Sequence, residues 1–232
     1  MEKGKGVLYG VSVGPGDWEL ITLKALRVME ACPVIAAPQT KGGDMLALQI
    51  ARQAVDLTGK EIVPLGFPMS RDRAQQQNAH HNVFQALRPF LDAGKDTALL
   101  NLGDVSIYST FGRVQELFIQ AGYSTVMVPG VPSFCAVAAR LNRPLTREME
   151  SPFVVAPGGA EPEGLWELPG TKVLMKSGRQ LPQVLGKLEQ RGLLGQSALV
   201  SNCGLPGEQC WPDLASQQPE GEAGYFSTIV VE

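Results

Sequence analysis

Apolar runs of strand length alternate with stretches of helical periodicity through the first half of this chain, and nothing else in it restricts the fold so far. Strand-like runs at 7–13, 33–37, 60–64, 97–101 and 124–128 are separated by helical patterns at about 18–30, 44–54, 71–93 and 109–121. The connectors are short and marked by glycine, as at Thr58-Gly59, Ala93-Gly94 and Ala121-Gly122. A strand followed by a helix and a second strand pairs in parallel, because the helix supplies the crossover. The expected α/β architecture is a mostly parallel five-stranded sheet with helices on both faces.

Beyond Pro129-Gly130-Val131-Pro132 the texture changes. Helical patterns at 133–141 and roughly 180–191 accompany strand-like runs near 152–156, 171–176, 197–202, 208–211 and 225–231. Strands outnumber helices there, which suits a mixed, partly antiparallel sheet. The chain is thus expected to hold an N-terminal α/β domain, 1–130, and a C-terminal mixed α/β domain, 131–232, joined without a long linker. Segments 157–170 and 212–224, rich in Pro, Gly and Glu, are expected as exposed loops, and no internal repeat is visible.

Composition narrows the function classes. With 232 residues, 44% hydrophobic and 19% charged, the chain is a globular protein with a sizeable core. A net charge of -3 argues against broad nucleic-acid binding, although a local basic cluster could hold an anionic small molecule. The N-terminus lacks a basic-then-apolar signal pattern, and no apolar run approaches the roughly 18 residues of a membrane span. A cytoplasmic protein is expected, without a membrane partner. Cys32, Cys135, Cys203 and Cys210 are scattered, with no C-x-x-C pair, so they are expected as reduced thiols rather than zinc ligands or disulfides. His80 and His81 are neighbours on a helical stretch and point to different sides, so they do not share a metal. One of them could still contact a metal-bearing ligand or its carboxylates.

Three glycine-containing turns carry the functional signal. Gly14-Pro15-Gly16-Asp17 follows the first strand, and an open α/β sheet binds ligands at that edge. Asp17 stands either as a helix cap or as part of the site. A dinucleotide turn is excluded: G-x-G-x-x-G is absent, the second strand ends in Pro38-Gln39 rather than an acid, and Pro15 lacks an N–H. The turn suits a ligand with few phosphates. The fourth strand leads into Leu102-Gly103-Asp104-Val105-Ser106-Ile107-Tyr108-Ser109-Thr110, where Gly103 permits close backbone approach and Asp104 brings a carboxylate. Asp104 or Ser106 could instead cap the next helix. The fifth strand leads into Pro129-Gly130-Val131-Pro132-Ser133-Phe134 and a helix of small residues. Parallel strands share their C-terminal side, so the three loops leave the same edge.

Taken in order, G-P-G-D with L-x-T-L-K-A, G-D-x-x-x-Y and P-G-V-x-S resemble the tetrapyrrole methylase family, whose S-adenosylmethionine-dependent members methylate the macrocycle on the way to cobalamin and sirohaem. The resemblance runs from about residue 6 to the C-terminus. Phe67-Pro68-Met69, Tyr108-Ser109-Thr110-Phe111 and Tyr225-Phe226-Ser227 are most similar to the branch that acts at C-20 of precorrin-2 or cobalt-factor II. Val105 stands where the family often has proline, which should alter loop rigidity more than chemistry.

The resemblance implies a class III methyltransferase fold of two α/β domains, with the cofactor in the cleft between them. It implies S-adenosylmethionine as methyl donor, a tetrapyrrole substrate, a homodimer and no protein-bound metal. Pro15 would border the cofactor, Gly103, Asp104, Ser106 and Ile107 would hold its methionine part, and Ser133 and Phe134 would close another side. Met175, Cys203, Ser227 and Thr228 would meet adenine and ribose. Asp104 and Tyr108 are the candidate catalytic residues, as base or orienter. Arg71, Arg73, Arg113, Arg140 and Arg143 are candidates for the substrate carboxylates, since the guanidinium fork suits them. Two rivals remain: a relative acting at another ring position or on a different substrate, and a protein that binds without turnover.

Overall fold

Strands β1 (Leu8–Ser12), β2 (Val34–Gln39), β3 (Glu61–Gly66), β4 (Thr97–Asn101) and β5 (Thr125–Val128) pair in the order β3-β2-β4-β1-β5, every ladder parallel. In the computed structural model, which describes residues 4–67, 72–149, 151–220 and 225–232, the chain divides into two units, Met1–Pro132 and Ser133–Glu232. Between the strands of the first unit run α1 (Leu23–Ala31), α2 (Leu46–Ala54), α3 (Arg73–Asp92) and α4 (Phe111–Gln120).

Strand alternation separates two faces. Leu8, Ala36, Leu65 and Leu99 lie under Val83, Leu87 and Leu91 of α3 and Phe111, Val114 and Phe118 of α4. Ile35, Ala98 and Leu100 point the other way and are equally buried, on the side where α1 and α2 pack. Gly10 in β1 is required by this packing, because a Cβ there would fall 2.6 Å from the Phe111 ring.

The helix expected from about residue 18 is divided. Asp17 caps a 3-10 turn, Trp18–Leu20, by accepting the Glu19 N–H at 2.9 Å. Ile21 and Thr22 are extended, and the Thr22 hydroxyl caps α1 by accepting the Ala25 N–H at 3.2 Å. Two capping residues in one stretch make two short elements instead of one long helix.

The second unit contains α5 (Ser133–Leu141), β6 (Phe153–Pro157), β7 (Thr171–Met175), α6 (Leu181–Gln190), β8 (Ser197–Ser201), β9 (Gln209–Trp211) and β10 (Ser227–Val231). Its sheet runs β6-β7-β10-β8-β9; β6 and β7 are parallel and the other ladders antiparallel. Ala156, Leu174, Leu199 and Ile229 face Leu181, Val184 and Leu188 of α6. The segments expected as exposed loops contribute to this core, because Leu165 and Leu214 are 1% and 0% exposed. Within the same loop, Glu161 is buried against Lys187, 2.6 Å from its Nζ. Residues 221–224 of the second segment lie outside the described residues.

Candidate functional site

Because β1 lies between β4 and β5, the three glycine turns leave adjacent strand ends. The structure ties them together. Gly103 N–H donates to the Gly14 carbonyl at 2.7 Å, extending the β1–β4 contact past both strands. Val105 N–H donates to the Ser12 hydroxyl at 2.9 Å. Asp104 links the other two loops: Oδ1 accepts the Ser106 N–H and hydroxyl at 2.8 and 2.5 Å, and Oδ2 accepts the Gly130 N–H at 2.8 Å. On the far side, the Thr22 hydroxyl donates to the Pro129 carbonyl at 3.3 Å. Ser12 and Thr22 are thus parts of the site that sequence reasoning missed. A polar residue ending an apolar strand, and the threonine of L-x-T-L-K-A, were the available signals.

The glycines divide the work. At Gly130 a Cβ would fall 2.4 Å from Ser12 Cβ and 3.0 Å from the Gly103 carbonyl oxygen, so only glycine lets the loops approach. Gly103 has a φ of +74°, which favours glycine for conformational reasons. It is buried, yet a Cβ there would meet nothing within 4 Å. The space beside it is open, suited to a ligand that presses against the main chain. Pro15 is buried in the first turn, whereas Ser106 is exposed and Ile107 half-buried on the second.

Burial pushes the Asp104 carboxyl up, but the Gly130 and Ser106 hydrogen bonds outweigh it and hold its pKa below the ordinary aspartate value. Both oxygens are engaged and the group is ionised, as an anchor requires. A depressed pKa makes it a weak base. Tyr108 is different: its backbone is left-handed, with φ 48°, and its side chain is 43% exposed. The loop closes at Ser109, whose hydroxyl donates to Asn101 Oδ1 at 2.8 Å and accepts the Phe111 N–H at 3.1 Å.

In the second unit, antiparallel β10 brings its first residues beside the last residues of β7 and β8. Thr228 pairs with Met175, and Ser227 with Ser201. Thr228 and Met175 share one face, while Ser227 and Ser201 lie on the face covered by α6, their hydroxyl oxygens 3.4 Å apart. All of these are buried. Cys203 follows β8 and is half-buried; burial, then the Glu208 carboxylate, pushes its thiol up to about 11. Ser133 opens α5 and is half-buried. Phe134 is a packing residue, its ring 5.5 Å from that of Phe153 and T-shaped to it.

Three of the arginines singled out for carboxylates have partners within the chain. Arg113 pairs with Glu116, Arg140 with Glu208, and Arg143 with Glu232 and the Pro212 carbonyl. Acidic side chains or carbonyls lie within reach of each, so internal pairing takes precedence. Arg73 opens α3 and is exposed, while Arg71, Pro68 and Met69 lie outside the described residues. His81 is 3.1 Å from the Gln85 amide, and burial followed by the nearby Arg113 charge lowers the pKa of His80. All four cysteines are free thiols. Among the described residues, no group of three or more His, Cys, Asp or Glu could hold a metal, and no helix is long and apolar enough to cross a membrane.

Residues 7–217 match the family model of the tetrapyrrole (corrin/porphyrin) methylases. The cobalt-precorrin-2 C(20)-methyltransferase of Salmonella typhimurium is 37% identical over 231 residues, covering 97% of this chain and 96% of the relative. A probable cobalt-precorrin-2 C(20)-methyltransferase of Methanocaldococcus jannaschii is 35% identical, covering 79% of this chain and 77% of its own. The crystal structure of uroporphyrin-III C-methyl transferase from Thermus thermophilus complexed with S-adenyl homocysteine is similar in fold, with a TM-score of 0.70, 22% identity and 97% of both chains covered.

Proposed function

The chain belongs to the tetrapyrrole (corrin/porphyrin) methylase family, and we propose that it is an S-adenosylmethionine-dependent methyltransferase acting at C-20 of a precorrin-2-type ring. The observation that carries this reading is the tethering of three strand-end loops around the buried Gly103, in a chain 37% identical along its length to a relative of that activity. Both relatives cited above are named for cobalt-precorrin-2, which favours a cobalt-bearing ring over the metal-free one. The cobalt is part of the substrate.

Bound S-adenosylmethionine supplies a methyl group on a sulfonium, which is already electrophilic. The chain's own tasks are then alignment and exclusion of water. Pro15, Gly103, Asp104, Ser106 and Ile107 are assigned to the methionine part. Ser133, Phe134, Met175, Cys203, Ser227 and Thr228 are assigned to the remainder, Phe134 and Ser227 contributing from packed positions. Asp104 positions the loops by accepting from Ser106 and Gly130. Tyr108, exposed on a strained backbone, is the residue assigned to the ring. A homodimer in the cytoplasm completes the proposal.

The test is incubation with labelled S-adenosylmethionine and either cobalt-factor II or precorrin-2. A ring carrying one additional methyl at C-20, with faster turnover of the cobalt form, is expected. Methylation at another carbon would assign the chain to a different branch of the family. Binding of S-adenosylhomocysteine without methylation of either ring would leave a binding protein.

A further inference from the structure

We propose that Arg140 is a positioning residue for cofactor binding, acting through Glu208 on the turn that carries Cys203. The inference rests on the assignment of Cys203 to the S-adenosylmethionine site.

The turn between β8 and β9 spans 202–208. It bends through three left-handed residues, Asn202, Gly204 and Gly207, with φ of 53°, 75° and 80°. Its backbone is held by Leu205 N–H to the Asn202 carbonyl at 2.8 Å and Glu208 N–H to the Leu205 carbonyl at 3.1 Å, by the Asn202 side-chain amide donating to the Gly207 carbonyl at 3.4 Å, and at its base by Asn202 N–H donating to the Phe226 carbonyl at 3.2 Å. The strand that follows, β9, has three residues and forms the sheet edge. A short edge strand anchors a turn weakly.

Glu208 adds a constraint where the turn carries Cys203 and Gly204. One carboxylate oxygen accepts the Gly204 N–H at 2.8 Å, and the carboxylate also takes a hydrogen bond from the Cys203 thiol. The other oxygen accepts from Arg140 Nε, which projects from the last turn of α5. Arg140 therefore fixes the carboxylate that fixes the turn. The same nine-residue helix begins at Ser133 and Phe134, so one rigid element carries two cofactor-assigned residues at one end and orients a third at the other.

Magnitudes decide between stability and positioning. The Arg140 side chain is 57% exposed, and an ion pair that exposed adds little to folding stability. A loss of global stability is therefore not the main consequence of removing it. The direction in which Gly204 N–H and Cys203 are presented is.

The full-length protein is titrated calorimetrically with S-adenosylhomocysteine, as wild type, Arg140→Ala, Arg140→Lys and Cys203→Trp. Thermal unfolding and hydrogen exchange at the Gly204 amide are measured alongside. For Arg140→Ala the expected result is a dissociation constant raised about tenfold and Gly204 exchange accelerated by a similar factor. The melting temperature should fall by no more than about 4 °C, and Arg140→Lys should recover most of the affinity. If Cys203→Trp weakens binding and Arg140→Ala does not, the positioning role is overturned while the cofactor assignment stands. If Cys203→Trp leaves binding unchanged, the turn does not meet the cofactor and both fail. If Arg140→Ala loses affinity only together with a large drop in melting temperature, and lysine rescues neither, the residue is merely structural and the proposal is overturned.

Discussion

Replacing Asp104 by Asn separates the anchor from the base. Asn has one acceptor oxygen, and its best orientation keeps that oxygen toward Ser106, which donates twice. The amide NH2 then faces the Gly130 N–H, a donor against a donor, and a charge-assisted bond of 2.8 Å is lost. Leaving a part-buried N–H unpaired costs about 1–3 kcal/mol, and the two Ser106 bonds weaken when their acceptor loses its charge, so the total is about 3 kcal/mol. Urea unfolding monitored through Trp18, the tryptophan of the first unit, should show this loss. Exchange of the Gly130 amide should accelerate about a hundredfold, the equivalent of that energy. The effect must also depend on pH. Because the folded pKa of Asp104 lies below its unfolded value, its stabilisation is fully present above about pH 4 and is lost as pH falls through the folded pKa. The gap between wild type and Asp104→Asn should therefore be constant from neutral pH down to about 5 and close in stronger acid. If Asp104 were the base, the variant would keep its stability and cofactor affinity and lose only turnover; that outcome, with an unaltered Gly130 amide, refutes the anchoring argument.

Two further predictions test the rest of the rim. Gly103→Val places a branched side chain in the space beside the backbone and forces it to φ +74°, at about 1–2 kcal/mol. Calorimetry should find S-adenosylhomocysteine binding abolished while circular dichroism retains the α/β signature, and unchanged affinity would place the site elsewhere. Tyr108→Gly relieves a left-handed residue and should stabilise the fold by about 1 kcal/mol in urea. It should also lower methyl transfer about tenfold or more with little change in cofactor affinity, and full activity would remove Tyr108 from the ring.

The elements of this fold are legible in the sequence because its strands are continuous apolar runs: Val34, Ile35, Ala36 and Ala37 are all fully buried. What was not legible has a common cause, the absence of a local pattern. Asp17 and Thr22 each supply a cap, and periodicity alone does not reveal that both are used. Leu165 and Leu214 are single leucines in Pro- and Gly-rich segments, with no period to mark them as core. At the site, the glycine turns identified the strand ends, but the bonds that join them do not repeat. Val105 reaches Ser12 across 93 positions, Thr22 reaches Pro129 across 107, and Gly130 reaches Asp104 across 26. Such pairings emerge only once the strand order β4-β1-β5 sets the loops side by side.

The distribution of strained residues points the same way as the hydrogen bonds. Among the described residues, non-glycine positive φ occurs at Tyr108, Asn142, Lys176 and Asn202. Asn142 follows the last residue of α5, where a left-handed residue is the usual helix terminator. The other three lie in the loops that leave β4, β7 and β8, at the ends where the two sheets carry their assigned site residues. Asparagine tolerates this conformation, but tyrosine and lysine cost about 1 kcal/mol or more each relative to glycine. Glycine would satisfy the backbone at those two positions, as it does at Gly103 and Gly204, so the side chains themselves must justify the strain. The rim is thus built from two kinds of residue with opposite demands. Ser12, Thr22, Asp104 and Gly130 hold the backbone of the loops through bonds or through the absence of a side chain. Tyr108 sits in a strained position on that backbone, and the rigidity supplied by the first group is what keeps it from relaxing.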